Sequence, residues 1–259
     1  MEILVLTKRV PVTQEEEIRI IEEGKAVDLS KLPYKTNDWD NYAVEEAVRI
    51  VEKMGGAVTS IAMGDMESDE VLRRAIAMGA KDGLLLEVES PVQDPFARAK
   101  IMCTFLKKEA FPFDVIFTGV QAEDDQFAAV GGILAAMLGI PYASMIIGID
   151  ATEKDHMIVR RELEGGLQER IKIALPCVLS MQSGINEPRY VSIMGVRKAS
   201  KVERKYYKAK AYAENADALV EVNTWSYPPK KEGATIIEGE IGEVCNKLLV
   251  ILKEKGVSQ

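Results

Sequence analysis

Residues able to hold or transform a ligand gather in four short stretches: Leu6-Thr7-Lys8, Thr36-Asn37-Asp38-Trp39-Asp40, Met63-Gly64-Asp65, and Gly119-Val120-Gln121-Ala122-Glu123-Asp124-Asp125. Three of them follow apolar runs that read as strands, and the other precedes a helix-like segment. The stretch at 119–125 is the most distinctive. Gly119 lets a backbone approach a ligand, Gln121 offers a donor and an acceptor, and Ala128, Ala129, Gly131 and Gly132 keep the start of the next helix small. A helix N-terminus presents unpaired N–H groups and the positive end of a dipole, so a phosphate or pyrophosphate suits that place. The same residues also have a plainer use, in which Asp124 and Asp125 cap a helix and the glycines pack. As neighbours in a cap, those two carboxylates would face different directions and form no acid/base pair.

Other chemistries find little support. Cys103, Cys177 and Cys245 are far apart and form no CxxC pair, so neither a disulfide framework nor a metal site is expected. The single histidine, His156, lies beside Asp155 near a turn and is read as a solvated residue. No catalytic residue is assigned. The chain has no GxGxxG and no GxxxxGK[ST], which removes the usual dinucleotide and P-loop fingerprints. A net charge of -8 argues against a general nucleic-acid binder. The opening MEILVLTKRV has too short an apolar run for a signal-peptide core or a membrane span, and a cytoplasmic location is expected.

The elements that must position these residues follow a regular rhythm. Strands are expected at 2–8, 56–62, 83–88 and 114–118, and helices at 41–54, 68–78, 94–108 and 125–138. Such alternation implies right-handed crossovers and an α/β fold with a doubly wound, mostly parallel sheet, whose strand ends are the natural ligand edge. After Pro141 strands follow one another without helices, and residues 157–181 are placed at one edge of that sheet. Beyond Pro188 the composition changes: a basic run leads to an irregular stretch and a final amphipathic helix at 238–255. The division read from this is 1–190 as an α/β nucleotide-binding domain and 191–259 as a partner-recognition loop and C-terminal arm, which lies on its own domain or on a partner chain.

Residues 159–190 carry the most information: VRRELEGGLQERIKIALPCVLSMQSGINEPRY. Two charged strand-like runs flank a Gly-Gly pair, as in a hairpin, and NEPRY follows a second apolar strand. As an ordered string this resembles the signature of electron transfer flavoprotein β subunits. The opening VLTKRV, AVEEAVR at 43–49, AMGA at 77–80 and GVQAEDD at 119–125 fall in the family's order as well.

The resemblance implies an adenine-nucleotide-binding subunit, of a fold shared with universal stress proteins, that pairs with an electron transfer flavoprotein α subunit holding the redox FAD. It implies transient contact with flavin dehydrogenases and an acceptor oxidoreductase. Carried over, the nucleotide contacts are Leu6, Asn37, Asp38, Trp39, Asp40, Met63, Gly64, Gly119, Gln121, Ala122, Asp124, Asp125, Gln126, Phe127, Ala128, Ala129 and Val130. The ligand is AMP or a second FAD, the latter in electron-bifurcating, NADH-oxidising members. Ala128 and Val130 stand where the AMP type has Asn and Thr, while Gln126 and Phe127 depart from the FAD type and Val130 agrees with it. Trp39 either faces the α subunit's flavin or packs on the first helix. Val191, Ile193 and Met194 correspond to the family's recognition loop, with Ile193 as its aliphatic anchor. Arg197 and Lys198, with Lys201, Arg204 and Lys205, either steer acidic partners or form a solvated face. The rival reading is a free-standing nucleotide-binding protein resembling universal stress proteins, whose glycine-rich loop G-x2-G-x9-G-[ST] is missing here.

Overall fold

The computed structural model describes residues 1–14, 16–229 and 233–257. From β1 (Glu2–Thr7) the chain passes through four short strands, β2 (Arg9–Pro11), β3 (Ile20–Ile21), β4 (Ala26–Val27) and β5 (Tyr34–Thr36), to α1 (Asp38–Met54). It then alternates through β6 (Ala57–Gly64), α2 (Asp69–Met78), β7 (Asp82–Glu87), α3 (Pro95–Lys108), β8 (Val115–Gly119) and α4 (Val130–Leu138). The remainder comprises β9 (Tyr142–Thr152), β10 (His156–Glu162), β11 (Gln168–Ala174), β12 (Cys177–Met181), α5 (Ile193–Ala199), β13 (Lys205–Lys208) and α6 (Ile241–Glu254).

Among the described residues, nine strands form one sheet in the order β11-β10-β9-β12-β8-β1-β6-β7-β13. β10 pairs antiparallel with both neighbours, and the other pairings are parallel. Alternation along the central strands divides the core in two. Ile3, Val5, Val58 and Phe117 face α1 and α2, whereas Leu4, Ile61, Leu84 and Ile116 face α3 and α4. The fold is the doubly wound α/β arrangement that the sequence pattern implies.

Two details differ from the sequence pattern. β12 lies inside the sheet between β8 and β9 rather than at its edge, and all five of its residues are buried. Its mostly apolar run, broken by Ser180, reads equally as edge or interior until the parallel pairing with β8 is known. α4 begins at Val130, not near residue 125, because Gln126 and Ala128 adopt φ of 53° and 52°, outside the helical region.

The C-terminal part divides in its behaviour. β13 pairs with β7, and Tyr207 and Tyr212 pack edge-on against Phe105 at 5.0 and 5.2 Å. The chain then crosses the start of α3, where Asp94 accepts from the N–H groups of Leu219 and Val220, and Trp225 N–H donates to the Gly24 carbonyl. α6, by contrast, has no buried residue and exposes Ile241, Leu248, Leu249 and Val250.

Candidate functional site

After β1 the chain winds outward through β6 and β7, then returns to lay β8 on the other side of β1. The connections leaving β1 and β8 therefore diverge, which opens a crevice at the carboxyl edge of the sheet. A cleft of about 110 Å³, open to solvent, lies there. Leu6, Ile61, Met63 and Met102 give it an apolar floor, and residues from Gly119 to Gly131 form one wall.

Asp40, on the first turn of α1, fastens the two strand ends that flank the cleft. Its carboxylate accepts the Lys8 N–H at 2.8 Å and the Gly119 N–H at 3.1 Å. It is 5% exposed, and burial pushes its carboxyl up to about 7, against the pull of Asn37, those two N–H groups and the Lys8 charge. Asn37 joins the same wall from the other side, donating to the Gln121 carbonyl at 2.9 Å and accepting the Glu123 N–H at 3.2 Å. Lys8 Nζ then holds Asp124 at 2.6 Å and Asp125 at 2.7 Å. The two carboxylates thus converge on one ammonium, which corrects the expectation that they cap a helix and face apart.

Of the residues expected at a ligand site, Leu6, Asn37, Asp40, Met63, Gly119, Gln121, Ala122, Asp125, Phe127, Ala128, Ala129 and Val130 line the cleft. Asp38, Trp39, Gly64, Asp124 and Gln126 do not. Asp38 pairs with Lys35 at 2.8 Å, and its N–H donates to Glu123. Trp39 Nε1 donates to Gln182 beyond the end of β12, away from the cleft. Gly64 packs against Ser68, and Gln126 N–H donates to the Ala122 carbonyl. Gly119 has a different use from the one read in the sequence. A Cβ there would lie 2.5 Å from Asp40 Oδ1 and 2.7 Å from Trp39 Cβ, so its missing side chain admits α1 rather than a ligand. Likewise Gly131 and Gly132 face Ser180, Thr118 and Tyr142 on the sheet.

Val120, inside the 119–125 stretch, also lines the cleft, whereas Ile61, Arg98, Met102 and Thr118 line it and escaped the sequence reading. For Arg98 a signal existed. It falls on the same helical stripe as buried Pro95, Met102 and Phe105, where a charge is out of place. No such signal marked the others, which look like ordinary sheet or helix residues. Elsewhere, burial pushes the Cys177 thiol up to about 12, so it is protonated inside the sheet. Among the described residues, no cluster of three or more His, Cys, Asp or Glu is placed to hold a metal. Nor is any helix among them long and apolar enough to cross a membrane.

Residues 26–218 match the model of the electron transfer flavoprotein domain. The chain is 36% identical to the electron transfer flavoprotein subunit beta of Thermoanaerobacterium thermosaccharolyticum, over 99% of this chain and 100% of the relative. It is 33% identical to the subunit beta of Methylophilus methylotrophus and 32% identical to that of Bacillus subtilis, over 98% of both chains in each case. The chain belongs to the electron transfer flavoprotein β-subunit family. Electron transfer is the role that membership carries.

The family signature has a visible structural use here. Arg189, of NEPRY, reaches Glu45 on α1 at 2.9 Å and Glu52 at 2.8 Å, and its own N–H donates to Glu45 at 3.0 Å. Burial pushes the Glu45 carboxyl up, but Arg189 and Arg49 outweigh it and hold the group below the usual carboxylate range. Asn186 donates to the Tyr42 carbonyl and to Glu46, both at 3.0 Å. NEPRY thereby pins the segment that follows it. Val191 packs into the core, which turns it away from the surface expected of a partner contact. Ile193 and Met194 are 74% and 80% exposed, Tyr190 is 89% exposed, and Arg197 and Lys198 are exposed. Ile193 opens helix α5, capped by Ser192 onto the Gly195 N–H, so it stands on a helical turn rather than a loop. Arg204 is committed to Asp69 and to the Ala199 and Val202 carbonyls, which leaves it no part in steering a partner.

Proposed function

We propose that the chain is the β subunit of a heterodimeric electron transfer flavoprotein that shuttles electrons from flavin dehydrogenases to an acceptor oxidoreductase. In this reading the cleft between β1 and β8 holds an adenine nucleotide, AMP or a second FAD, and the partner α subunit carries the redox FAD. The bound flavin supplies the electron chemistry. This chain binds, orients and docks, and we place it in the cytoplasm.

The observation that carries the reading is the cleft at the point where the strand order reverses. Its apolar floor suits the faces of a purine. Its polar wall ends at the start of α4, where no side chain caps the helix amides and the positive dipole end favours a phosphate. Lys8, Asn37, Asp40, Asp124 and Asp125 shape that wall by bonding to one another, so their part is positioning.

The functional division falls at residue 190. The body binds the nucleotide, and the extension meets partners even though β13 rejoins the sheet. α6 contributes an unburied apolar face for the α subunit, and Ile193 with Met194 forms a small apolar knob suited to brief dehydrogenase contacts. A free-standing nucleotide-binding protein would leave that helix face in water, which weighs against the universal-stress-like reading.

Co-purification with the α subunit, acid release and counting of ligands tests the proposal. One FAD and one AMP per heterodimer is the expected result. Two FAD would identify the bifurcating, NADH-oxidising form. A nucleotide-bound monomer with no flavoprotein partner would defeat the heterodimer, and absence of any adenine nucleotide in this subunit would defeat the cleft assignment.

A further inference from the structure

Arg98 occupies a place where a helix of this kind keeps an apolar side chain. Its stripe neighbours Pro95, Met102 and Phe105 are buried, and Met102 lines the cleft beside it. Setting a guanidinium there costs free energy unless its charge and its donors are met. The protein meets only part of this demand, through a hydrogen bond from Arg98 Nε to the Val92 carbonyl. Among the described residues its terminal nitrogens have no hydrogen-bond partner and it joins no ion pair. Burial holds the guanidinium below its ordinary range, and Asp125 and Asp124 oppose that only from a distance. Both of those carboxylates are already bound to Lys8 at 2.6 and 2.7 Å. Lys8 is thereby neutralised, and Arg98 is the cation of the cleft without a counter-ion.

The other half of the arrangement comes from α4. Ala128, Ala129, Val130 and Gly131 line the same cleft, and no side chain caps the helix that starts there. Ala128 and Val130 bring no side-chain donor of their own. A guanidinium offers a planar fork that meets two oxygens at once, which matches a phosphoryl group.

We propose that Arg98 is the side chain that binds the phosphoryl group of the cleft's ligand, in a seat formed between its guanidinium on α3 and the amide end of α4. This rests on the nucleotide reading of the cleft and adds the residue that makes the site prefer a phosphorylated ligand. A terminal phosphate and the bridging diphosphate of a dinucleotide present the same chemistry to that seat.

The test titrates the full-length chain, freed of ligand, with AMP, ADP, FAD, adenosine and inorganic pyrophosphate, for the wild type, Arg98→Lys and Arg98→Met. Charge-assisted hydrogen bonds of this kind correspond to roughly 10- to 100-fold in affinity. Arg98→Met is expected to weaken AMP by about that factor and to leave adenosine within about twofold, with Arg98→Lys between them. The urea midpoint of the unliganded Arg98→Met chain should rise, because an apolar side chain replaces a half-buried guanidinium whose terminal nitrogens no described protein group meets. Binding and stability then move in opposite directions, which a merely structural arginine would not produce. A larger loss for AMP than for FAD places Arg98 on a terminal phosphate, and the reverse places it on a bridging diphosphate. Unchanged AMP affinity, or equal losses for AMP and adenosine, overturns the phosphate seat while leaving the nucleotide reading intact. A wild type that ignores adenine nucleotides but binds pyrophosphate through Arg98 keeps the seat and rejects the nucleotide reading. A wild type that binds none of the five rejects both.

Discussion

The cleft wall and the segment that follows NEPRY are held in place by the same helix through carboxylates of opposite character. Asp40 and Glu45 both sit on α1 and are 5% and 2% exposed. Asp40 meets two backbone N–H groups and a burial cost that dominates, so its carboxyl rises to about 7. Glu45 meets the guanidinium of Arg189, so its carboxyl stays below the usual range despite burial. Burial alone therefore does not set the charge of a buried acid. The partner it is given does, and here one helix fixes the cleft wall with a carboxyl raised to about 7 and the segment after NEPRY with one held below the usual range.

The largest way to break this comparison is through pH. Asp40 has its folded value raised above 3.8, so the stability it contributes is fully present below that value and is lost as pH rises through about 7. From about pH 4 to pH 8 that loss is on the order of 3 kcal/mol. Asp40→Asn should flatten this part of the stability profile in urea unfolding, whatever its effect at a single pH. An unaltered slope would remove Asp40 as its source. Glu45 runs the other way. Its lowered value gives stability that is present above its unfolded value and lost as pH falls through its folded one.

Arg189→Met sharpens the contrast by leaving buried Glu45 with Arg49 as its remaining cation, at 2.8 Å. Breaking a fully buried pair costs roughly 3–5 kcal/mol, and the partly open arginine side reduces this to about 2–3 kcal/mol. Proteolysis should then cut residues 186–199 faster while the cleft stays protected. Equal protection in variant and wild type would show that NEPRY is not the pin. Gly119→Ala should cost about 1–3 kcal/mol by pressing its methyl on Asp40 and Trp39. Wild-type stability in that variant would mean α1 yields freely at its first turn. Ile193→Ala should be the mildest, within about 0.5 kcal/mol of wild type at an exposed site, while electron exchange with a flavin dehydrogenase slows. Unchanged transfer at low protein concentration would exclude Ile193 from docking.

β1, β6, β7 and the helices α1 to α3 were legible because their apolar runs are short-range facts, buried as the periodicity implies, whereas the short strands β2 to β5 have no such run. The start of α4 was not. Its position depends on Lys8 reaching Asp124 and Asp125 from the far end of the sequence, and on left-handed turns at Gln126 and Ala128 that no local pattern demands. The four ligand-edge stretches were legible as strand ends, yet the uses of Gly119, Gly131 and Asp124 changed once their neighbours were known. Arg98 was legible in principle, as a charge on a buried helical stripe, but only the cleft gives that charge a direction.

The central claim is that the crevice between β1 and β8 receives an adenine nucleotide. A photoreactive azido-adenine analogue of AMP, activated on the full chain and followed by peptide mapping, tests it directly. Labelling of peptides that line the cleft, competed away by unmodified AMP, is the predicted result. Labelling that AMP does not displace, or that falls away from the cleft, would contradict it.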